Sequence, residues 1–416
     1  MLILVVWRVI KSMAQEICKL DNNIEYIYKQ NENTPRMALC LNILLNKPEN
    51  KPGIYSLMSR LLLQGTKNYT SEKLANEFEK YAIDFSCEFF TNYIRLRFVC
   101  LNEDFQKAME LMNEVLTNSA FNEFPKEQLK LKCEIPAELD SPKTTALDAY
   151  CRALYGNHYY GNSLTRILEN IDNITQKDIT DAFDYMMNNS RKSLAVVGAL
   201  SKDMVIPLIE ETIGKLPQSA DGNFLIEKPQ LTQSKQVVTK RSDLNQAHII
   251  KGWLTPTVNE KEYPALVLLN VILGSCGLSS RLFTELRDKK GLAYVVRSSY
   301  ETLKLTGNFM IYIATEPKNI EVSINGFDEE IEKIKTILVS EKELEDAKNN
   351  IIGKCAFLDE TNIQQACRYA KNGVLGLGFD YTDKMKEIIK KTSADALLVC
   401  AEKCFNDKSV LSIIKP

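Results

Sequence analysis

The sequence predicts an α+β fold in which two homologous domains, each an antiparallel sheet covered by helices, face each other. The main observation is an order of helix, helix, strand, strand, helix that occurs twice, about 215 residues apart, far beyond the period of a solenoid repeat. The second is a polar segment, residues 218–234, which contains Gly222 and Pro229 and lacks a sustained hydrophobic period. We therefore predict an N-terminal domain over residues 14–217, a linker over 218–234 and a C-terminal domain over 235–416.

The first copy of the repeat begins with a helix over residues 54–62, where apolar side chains recur at helical spacing until Gly65 ends the helix. A second helix follows. Two strand-like runs, residues 85–90 and 93–101, come next, and the second of them alternates apolar and charged residues, as a half-buried strand does. A further helix from Phe105 completes the copy.

The second copy repeats this order. Its first helix ends at Gly274 and its second at Gly291, where glycine is the usual residue just beyond a helix end. Strand-like runs follow over residues 292–301 and 307–315, and Pro317 opens the last helix. Each copy then closes with more helices and an extended run, which predicts a layer of helices against a sheet in each domain.

Composition and charge exclude several classes of protein. The hydrophobic fraction of 45% and charged fraction of 25% are those of a globular protein. The 52 basic and 54 acidic residues give a net charge of -2, so no global field attracts nucleic acid or an anionic membrane. The eleven cysteines are odd in number and lie mostly in apolar segments, which favours free thiols in a reducing cytoplasm. We expect a cytoplasmic protein with neither a nucleic-acid nor a membrane partner.

The N-terminus carries no clear targeting signal. The apolar run Leu2–Trp7 is too short to span a bilayer, is interrupted by Arg8, and lacks the basic start and cleavage site of a secretion signal. We interpret it as a translation-start artefact and predict Met13 as the true start.

Four segments point to one family. Residues 277–301 read GLSSRLFTELRDKKGLAYVVRSSYE, residues 52–66 read PGIYSLMSRLLLQGT, and residues 157–163 and 193–201 read NHYYGNS and SLAVVGALS. This set resembles the pitrilysin/insulinase metallopeptidases, a family that includes mitochondrial processing peptidases, respiratory-complex core subunits and bacterial processing-peptidase-like proteins. The resemblance covers nearly the whole chain. It implies duplicated α+β domains that enclose peptides in a cavity between them.

The resemblance also implies a zinc site, which this chain lacks. The family binds zinc through H-x-x-E-H on its first long helix and a glutamate from a later helix, and the motif glutamate activates the zinc-bound water. The glycines that flank this helix align Ser56, Ser59 and Arg60 with the three motif positions, and Glu134 with the remote ligand. Arg60 would put a fixed cation where a dication should sit. We expect no metal in this chain, which leaves Glu134 available to pair with Arg60.

No other residues replace the motif. The two histidines, His158 and His248, lie far apart in sequence, and we expect a capping or packing histidine and a strand or loop histidine. Cys400 and Cys404 would share a helix face, but a structural zinc site needs about four ligands. The histidine count therefore argues against an active peptidase that uses an unconventional metal site.

A second part of the family machinery is retained. Active members carry an arginine and a tyrosine seven residues apart, which bind the substrate backbone and stabilise the tetrahedral oxyanion, and the resemblance assigns these roles to Arg287 and Tyr294. Both side chains are donors that can point at a developing negative oxygen. Spacing alone favours a surface helix arginine and a packed strand tyrosine, and it is the family context with its intact flanking motif that favours the donor roles.

The resemblance implies a catalytically incomplete subunit. In some bacterial members two homologous chains pair, one with the zinc helix and the other with the arginine and tyrosine, and this chain resembles the second. Its expected partners are a homologous subunit carrying the zinc motif, or a second copy of itself, and a peptide substrate. The alternative is a non-enzymatic scaffold in which the arginine and tyrosine have no role. Residues 274–281 contain two glycines, too few for the glycine-rich presequence-binding loop of processing peptidases.

Overall fold

A computed structural model describes residues 16–416 of the chain. The apolar run Leu2–Trp7 and the predicted start at Met13 lie outside the described residues.

The strands of the described residues form two sheets. In chain order they are β1 (Glu16–Lys19), β2 (Glu25–Gln30), β3 (Arg36–Leu44), β4 (Asp84–Phe90), β5 (Tyr93–Leu101), β6 (Lys192–Gly198), β7 (Lys235–Lys240), β8 (Ala247–Thr255), β9 (Ala293–Thr302), β10 (Gly307–Thr315) and β11 (Val410–Lys415).

The α-helices of the described residues are α1 (Ile54–Leu61), α2 (Ser71–Lys80), α3 (Phe105–Asn118), α4 (Phe124–Leu139), α5 (Pro142–Tyr155), α6 (Leu164–Asn170), α7 (Gln176–Asn189), α8 (Lys202–Glu211), α9 (Tyr263–Asn270), α10 (Ile320–Thr336), α11 (Glu341–Phe357), α12 (Asn362–Val374), α13 (Tyr381–Lys391) and α14 (Ala394–Cys404). Two π-helical segments, Val271–Ser275 and Phe283–Lys289, follow α9 and the loop after it.

The chain folds into two compact units that each draw on distant parts of the sequence. Of the described residues, the first contains 16–129, 173–226 and 357–381, and the second contains 130–172, 227–356 and 382–416. The predicted contiguous domains, 14–217 and 235–416, differ from this division because two segments pack with the opposite half of the sequence. The predicted linker, 218–234, contains no helix or strand.

The α+β fold with two homologous sheets is confirmed. The first sheet has the order β1-β2-β6-β3-β5-β4 and the second has the order β7-β11-β8-β10-β9, so the second matches the first without β1. The predicted order of helix, helix, strand, strand, helix is present in both units, with π-helical turns in the second. Equivalent positions in the two units therefore have equivalent topology.

Two details refine the predicted layers. Each sheet contains one parallel pair, because the last strand of the first unit, β6, inserts beside β2 and the last strand of the second unit, β11, inserts beside β7. Each sheet is also covered on both faces. In the first unit Cys40 and Ala195 pack against α12, whereas Phe98, which points to the other face, contacts Phe105 of α3 with 6.0 Å between ring centroids.

The two helices that pack with the opposite half of the sequence lie close to their sheets. In the second unit α5 packs on β8 and β11, and the hydroxyl of its buried Tyr150 donates to Asn308 Oδ1 at 2.6 Å. A Cβ atom at Gly252 of β8 would overlap that hydroxyl. In the first unit a Cβ atom at Gly373 of α12 would overlap Ser193 Oγ. Glycine is required at both contacts because any side chain would push the helix off the sheet.

Candidate functional site

Helix α1 carries the three positions aligned with the zinc motif. The helix follows Gly53, whose φ of 106° lies in the left-handed region. Ser56 and Arg60 are half-buried, and Ser59 is buried, with its hydroxyl donating to the carbonyl oxygen of Ser56 at 2.8 Å. The buried Leu57 and the other buried apolar residues of α1 hold the helix in the core of the first unit.

The side chains at these positions do not fit a zinc ion. Serine hydroxyls are poor zinc ligands, the hydroxyl of Ser59 bonds within its own helix, and the guanidinium of Arg60 carries a fixed positive charge with no lone pair to donate. Among residues 16–416 no three His, Cys, Asp or Glu side chains lie close enough together to hold a metal ion. Glu134 is a half-buried residue of α4. Its pairing with Arg60 stays a prediction.

The histidines and the cysteine pair have structural positions. His158 caps the turn Tyr159–Gly161, with Nδ1 accepting from the backbone N–H of Tyr160 at 3.1 Å. His248 lies on β8, where its Nδ1 is 2.9 Å from the Tyr312 hydroxyl oxygen. Cys400 and Cys404 are buried on one face of α14 with their sulfur atoms 3.9 Å apart. Each of these positions agrees with its prediction.

Arg287 and Tyr294 lie side by side in the second unit. The Arg287 guanidinium carbon is 5.0 Å from the centre of the Tyr294 ring and 4.4 Å from the centre of the Phe283 ring. Arg287 and Phe283 belong to the π-helical segment Phe283–Lys289, in which the wider turn brings residues four apart onto one face. The guanidinium of Arg287 thus contacts both the Phe283 ring and the Tyr294 ring.

A β-bulge sets the direction of Tyr294. Strand β9 pairs with β10 at the edge of the second sheet, and the pairing passes from Val295 opposite Ala314 to Ala293 opposite Thr315. Tyr294 is the extra residue of the bulge, since no residue of β10 lies opposite it. Bulges of this kind commonly turn a side chain toward a functional site. Its side chain is 80% exposed, so it contributes little to packing.

The two donors line an open cavity of about 550 Å³ in the second unit. One wall is the run from Tyr294 to Ser299 of β9, and the opposite wall is formed by Gly274, Phe283 and Arg287. Its charged lining residues are Arg287 and Arg297, and it has no acidic lining residue. The cavity can therefore receive a ligand with negative charge beside the arginine and the tyrosine.

Sequence reasoning missed Arg297. The residue lies on β9 two positions beyond Val295, and both side chains point to the face opposite the one that buries Val296 and Ser298. The alternation of exposed and buried residues in this strand is the signal that could have identified it.

The chain matches two family models in tandem. Residues 26–167 match the model described as Insulinase (Peptidase family M16), and residues 173–351 match the model described as Peptidase M16 inactive domain. The chain belongs to the M16 peptidase family. The resemblance to the pitrilysin/insulinase metallopeptidases is thereby confirmed.

Similar proteins within the M16 family differ in the activity that their names state. An uncharacterized zinc protease of Rickettsia felis is 26% identical over 369 residues, which are 88% of this chain and 88% of the relative. A probable inactive metalloprotease of Bacillus subtilis, YmfF, is 26% identical over 327 residues, 75% of this chain and 74% of the relative. The crystal structure of a peptidase M16 inactive domain from Pseudomonas fluorescens superposes with a TM-score of 0.87 at 20% identity and covers 97% of this chain and 98% of that chain. It supports the M16 fold.

No helix in the part of the chain that the structure describes is long and apolar enough to cross a membrane.

Proposed function

We propose that this M16 chain is the non-zinc subunit of a two-chain zinc peptidase. In this proposal Arg287 and Tyr294 bind the peptide backbone and stabilise the oxyanion, and a homologous subunit supplies the zinc and the water. The observation that carries the proposal is the contact between these two donors at a cavity, in a chain whose zinc-motif positions hold Ser56, Ser59 and Arg60.

The geometry of the donor pair suits this role. The Tyr294 side chain is 80% exposed on a bulge and lies against Arg287, so its hydroxyl is accessible to a ligand. The Arg287 guanidinium contacts two aromatic rings, which favour its position without using its N–H groups, and these can donate to an anionic oxygen. Donors that are already in place stabilise developing charge without having to reorganise during the reaction.

The chemistry of this chain is limited to those steps. The partner's zinc would supply the activated water, and the residues of this chain would orient the peptide carbonyl and donate to its oxygen. Neither serine nor arginine at the motif positions can act as the base of the family mechanism. We therefore expect the purified chain to hold less than stoichiometric zinc and to hydrolyse no peptide.

The test is co-expression with a homologous subunit that bears H-x-x-E-H. Arg287→Ala and Tyr294→Phe are each expected to lower the turnover of the pair by about 10²- to 10³-fold, the usual effect of removing one oxyanion donor. Lys289→Gln is the matched control, since this exposed cation lies in the same π-helical segment and pairs with Glu285. Its turnover should stay near the wild-type value.

Two results would contradict the proposal. Stoichiometric zinc with chelator-sensitive hydrolysis by the chain alone would show that the metal site is complete. Unchanged turnover in both donor variants, with assembly preserved by size-exclusion chromatography, would remove the donor role and leave the scaffold as the function.

A further inference from the structure

Two cations lie close to one tyrosine ring on the face of the second sheet that α5 covers in part. Arg297 of β9 lies directly across from Tyr312 of β10, with its guanidinium carbon 5.9 Å from the centre of the ring. Lys143, near the start of α5, places its ammonium nitrogen 5.8 Å from the same centre. Arg297 and Lys143 are 154 residues apart in sequence, and the fold brings both positive charges to the same tyrosine ring.

Neither cation has an acidic partner among residues 16–416. Arg297 and Lys143 take part in no ion pair of the described chain, and burial and the neighbouring Arg297 lower the pKa of Lys143. Burial raises the pKa of the Tyr312 hydroxyl, and the charge of Arg297 acts in the opposite direction. Glu301, the next carboxylate on this face of β9, is four residues along the strand, or about 13 Å. Neither charge is therefore neutralised by an ion pair among the described residues.

The other ionisable groups described on this face form no ion pair with either cation. His248 Nδ1 lies within hydrogen-bond distance of the Tyr312 hydroxyl. Burial and the nearby Arg241 lower the pKa of His248. Arg241 itself is already paired, through two nitrogen atoms, with Asp243. Of the cations near Tyr312 among the described residues, Arg297 and Lys143 are therefore the two without an ion pair.

The position of Arg297 connects this pair to the donor site. Arg297 lines the same cavity as Arg287 and Tyr294. Tyr294 and Arg297 are three residues apart on β9, or about 10 Å along an extended strand, and an extended peptide rises by the same amount per residue. The Arg297 side chain lies on the face of the sheet opposite the one that the Phe283–Lys289 segment covers. A peptide that extends along the free edge of β9 presents its side chains to the two faces in turn, so with one carbonyl at Arg287 and Tyr294 a side chain about three residues away lies on the face of Arg297.

We propose that Arg297 and Lys143 form a carboxylate-binding subsite, so that the ligands of this chain are peptides with a carboxylate about three residues from the carbonyl at Arg287 and Tyr294. The carboxylate is that of an acidic side chain or of a peptide C-terminus. This inference rests on the proposed function, which it extends from peptides in general to acidic ones.

The test measures binding by the isolated full chain, so that it does not depend on turnover. Three dansyl-labelled peptides of alanine, glycine and serine carry Glu with an amidated C-terminus, Gln with an amidated C-terminus, or Gln with a free C-terminal carboxylate. We expect the Glu peptide to bind about 5- to 20-fold more tightly than the amidated Gln peptide at low salt, the range for a partly exposed charge-assisted contact. The free-carboxylate peptide shows whether a C-terminus is accepted as well.

Variants assign the preference to residues. Arg297→Gln and Lys143→Gln should each reduce the preference for the Glu peptide, and the double variant should bind the Glu and Gln peptides alike. Arg297→Lys should retain part of the preference, because it keeps the charge but not the fork of donors. Lys318→Gln, which removes an exposed lysine that pairs with Glu316, is the matched control and should leave the preference unchanged.

The outcomes separate this inference from the proposed function. Equal binding of all three peptides, no measurable binding of any, or a preference that survives in the double variant would overturn the subsite. Turnover with a zinc-bearing partner but without acid preference refutes the subsite alone. Acid preference in binding without any contribution to turnover refutes the donor role and leaves the subsite standing.

Discussion

A buried lysine without an acidic partner should make the stability of the first unit depend on pH in an unusual direction. Lys192 of β6 is 1% exposed, and its ammonium group donates to the carbonyl oxygens of Ser190 at 3.4 Å and Gln218 at 3.2 Å. Burial lowers the pKa of Lys192 from the ordinary 10.5 to about 8. The structure thus holds a charge that water would solvate better.

The sign and size follow from linkage. Below about pH 8 Lys192 is protonated in both states, and the native state carries the full desolvation cost. Between about pH 8 and 10.5 the unfolded chain keeps the proton that the native chain has lost, so this group makes the free energy of unfolding rise with pH. Because the pKa of Lys192 falls from 10.5 to about 8, and each pH unit of that interval contributes about 1.36 kcal/mol, the free energy of unfolding rises by about 3 kcal/mol across that pH range.

Replacing Lys192 by Met removes this contribution. At pH 7 the Lys192→Met variant should be more stable than the wild type by up to about 3 kcal/mol, less about 1 kcal/mol for each hydrogen bond that the carbonyl oxygens lose. The difference between the two proteins should then fall by about 3 kcal/mol as the pH rises to 10.5. The comparison is needed because burial also raises the pKa of tyrosines such as Tyr55, whose titration changes both proteins equally.

The assay is urea unfolding at a series of pH values, with pulse labelling of Cys40 as the local probe. Cys40 is buried on β3, which lies between β6 and β5 in the first sheet. Its thiol therefore reacts only when the first unit opens. Lys19→Met, at an exposed position of the same sheet, is the control and should give a constant difference. A difference for Lys192→Met that does not change with pH would refute the claim that its charge is held out of water.

Two further predictions concern packing and thiol chemistry. Gly252→Ala should destabilise the second unit by about 3 kcal/mol, because the new methyl group meets the Tyr150 hydroxyl and lies 2.7 Å from a backbone carbonyl oxygen; a thermal midpoint within 1 °C or so of wild type would contradict it. Cys367 should alkylate with a midpoint near pH 7, because a hydrogen bond from Cys40 and the charge of Arg95 lower its pKa to about 7. Peptide mapping after iodoacetamide should show this midpoint, and Arg95→Gln should raise it; a wild-type midpoint near 9 would be the contrary result.

The sequence by itself determined the parts of this protein that depend on neighbouring residues. The repeated order of elements follows from periods of 3.6 and 2 within each segment, and the structure has the predicted helices and strands in both units. The loss of the zinc motif could also be determined from neighbouring residues, because its three positions lie on about one helical turn and hold serine, serine and arginine instead of metal ligands. The family resemblance of the surrounding segment, rather than the seven-residue spacing alone, singled out Arg287 and Tyr294, which the fold brings into contact.

Only the tertiary structure decided which surfaces meet. Periodicity shows that one face of a helix is buried but not which sheet buries it, and so α5 and α12 pack with the opposite half of the sequence without any local sign. The same limit applies to Arg297 and Lys143, which meet at Tyr312 across a long stretch of chain. It applies as well to Lys192, since the strand pattern that buries a lysine is set by the strands on either side of it.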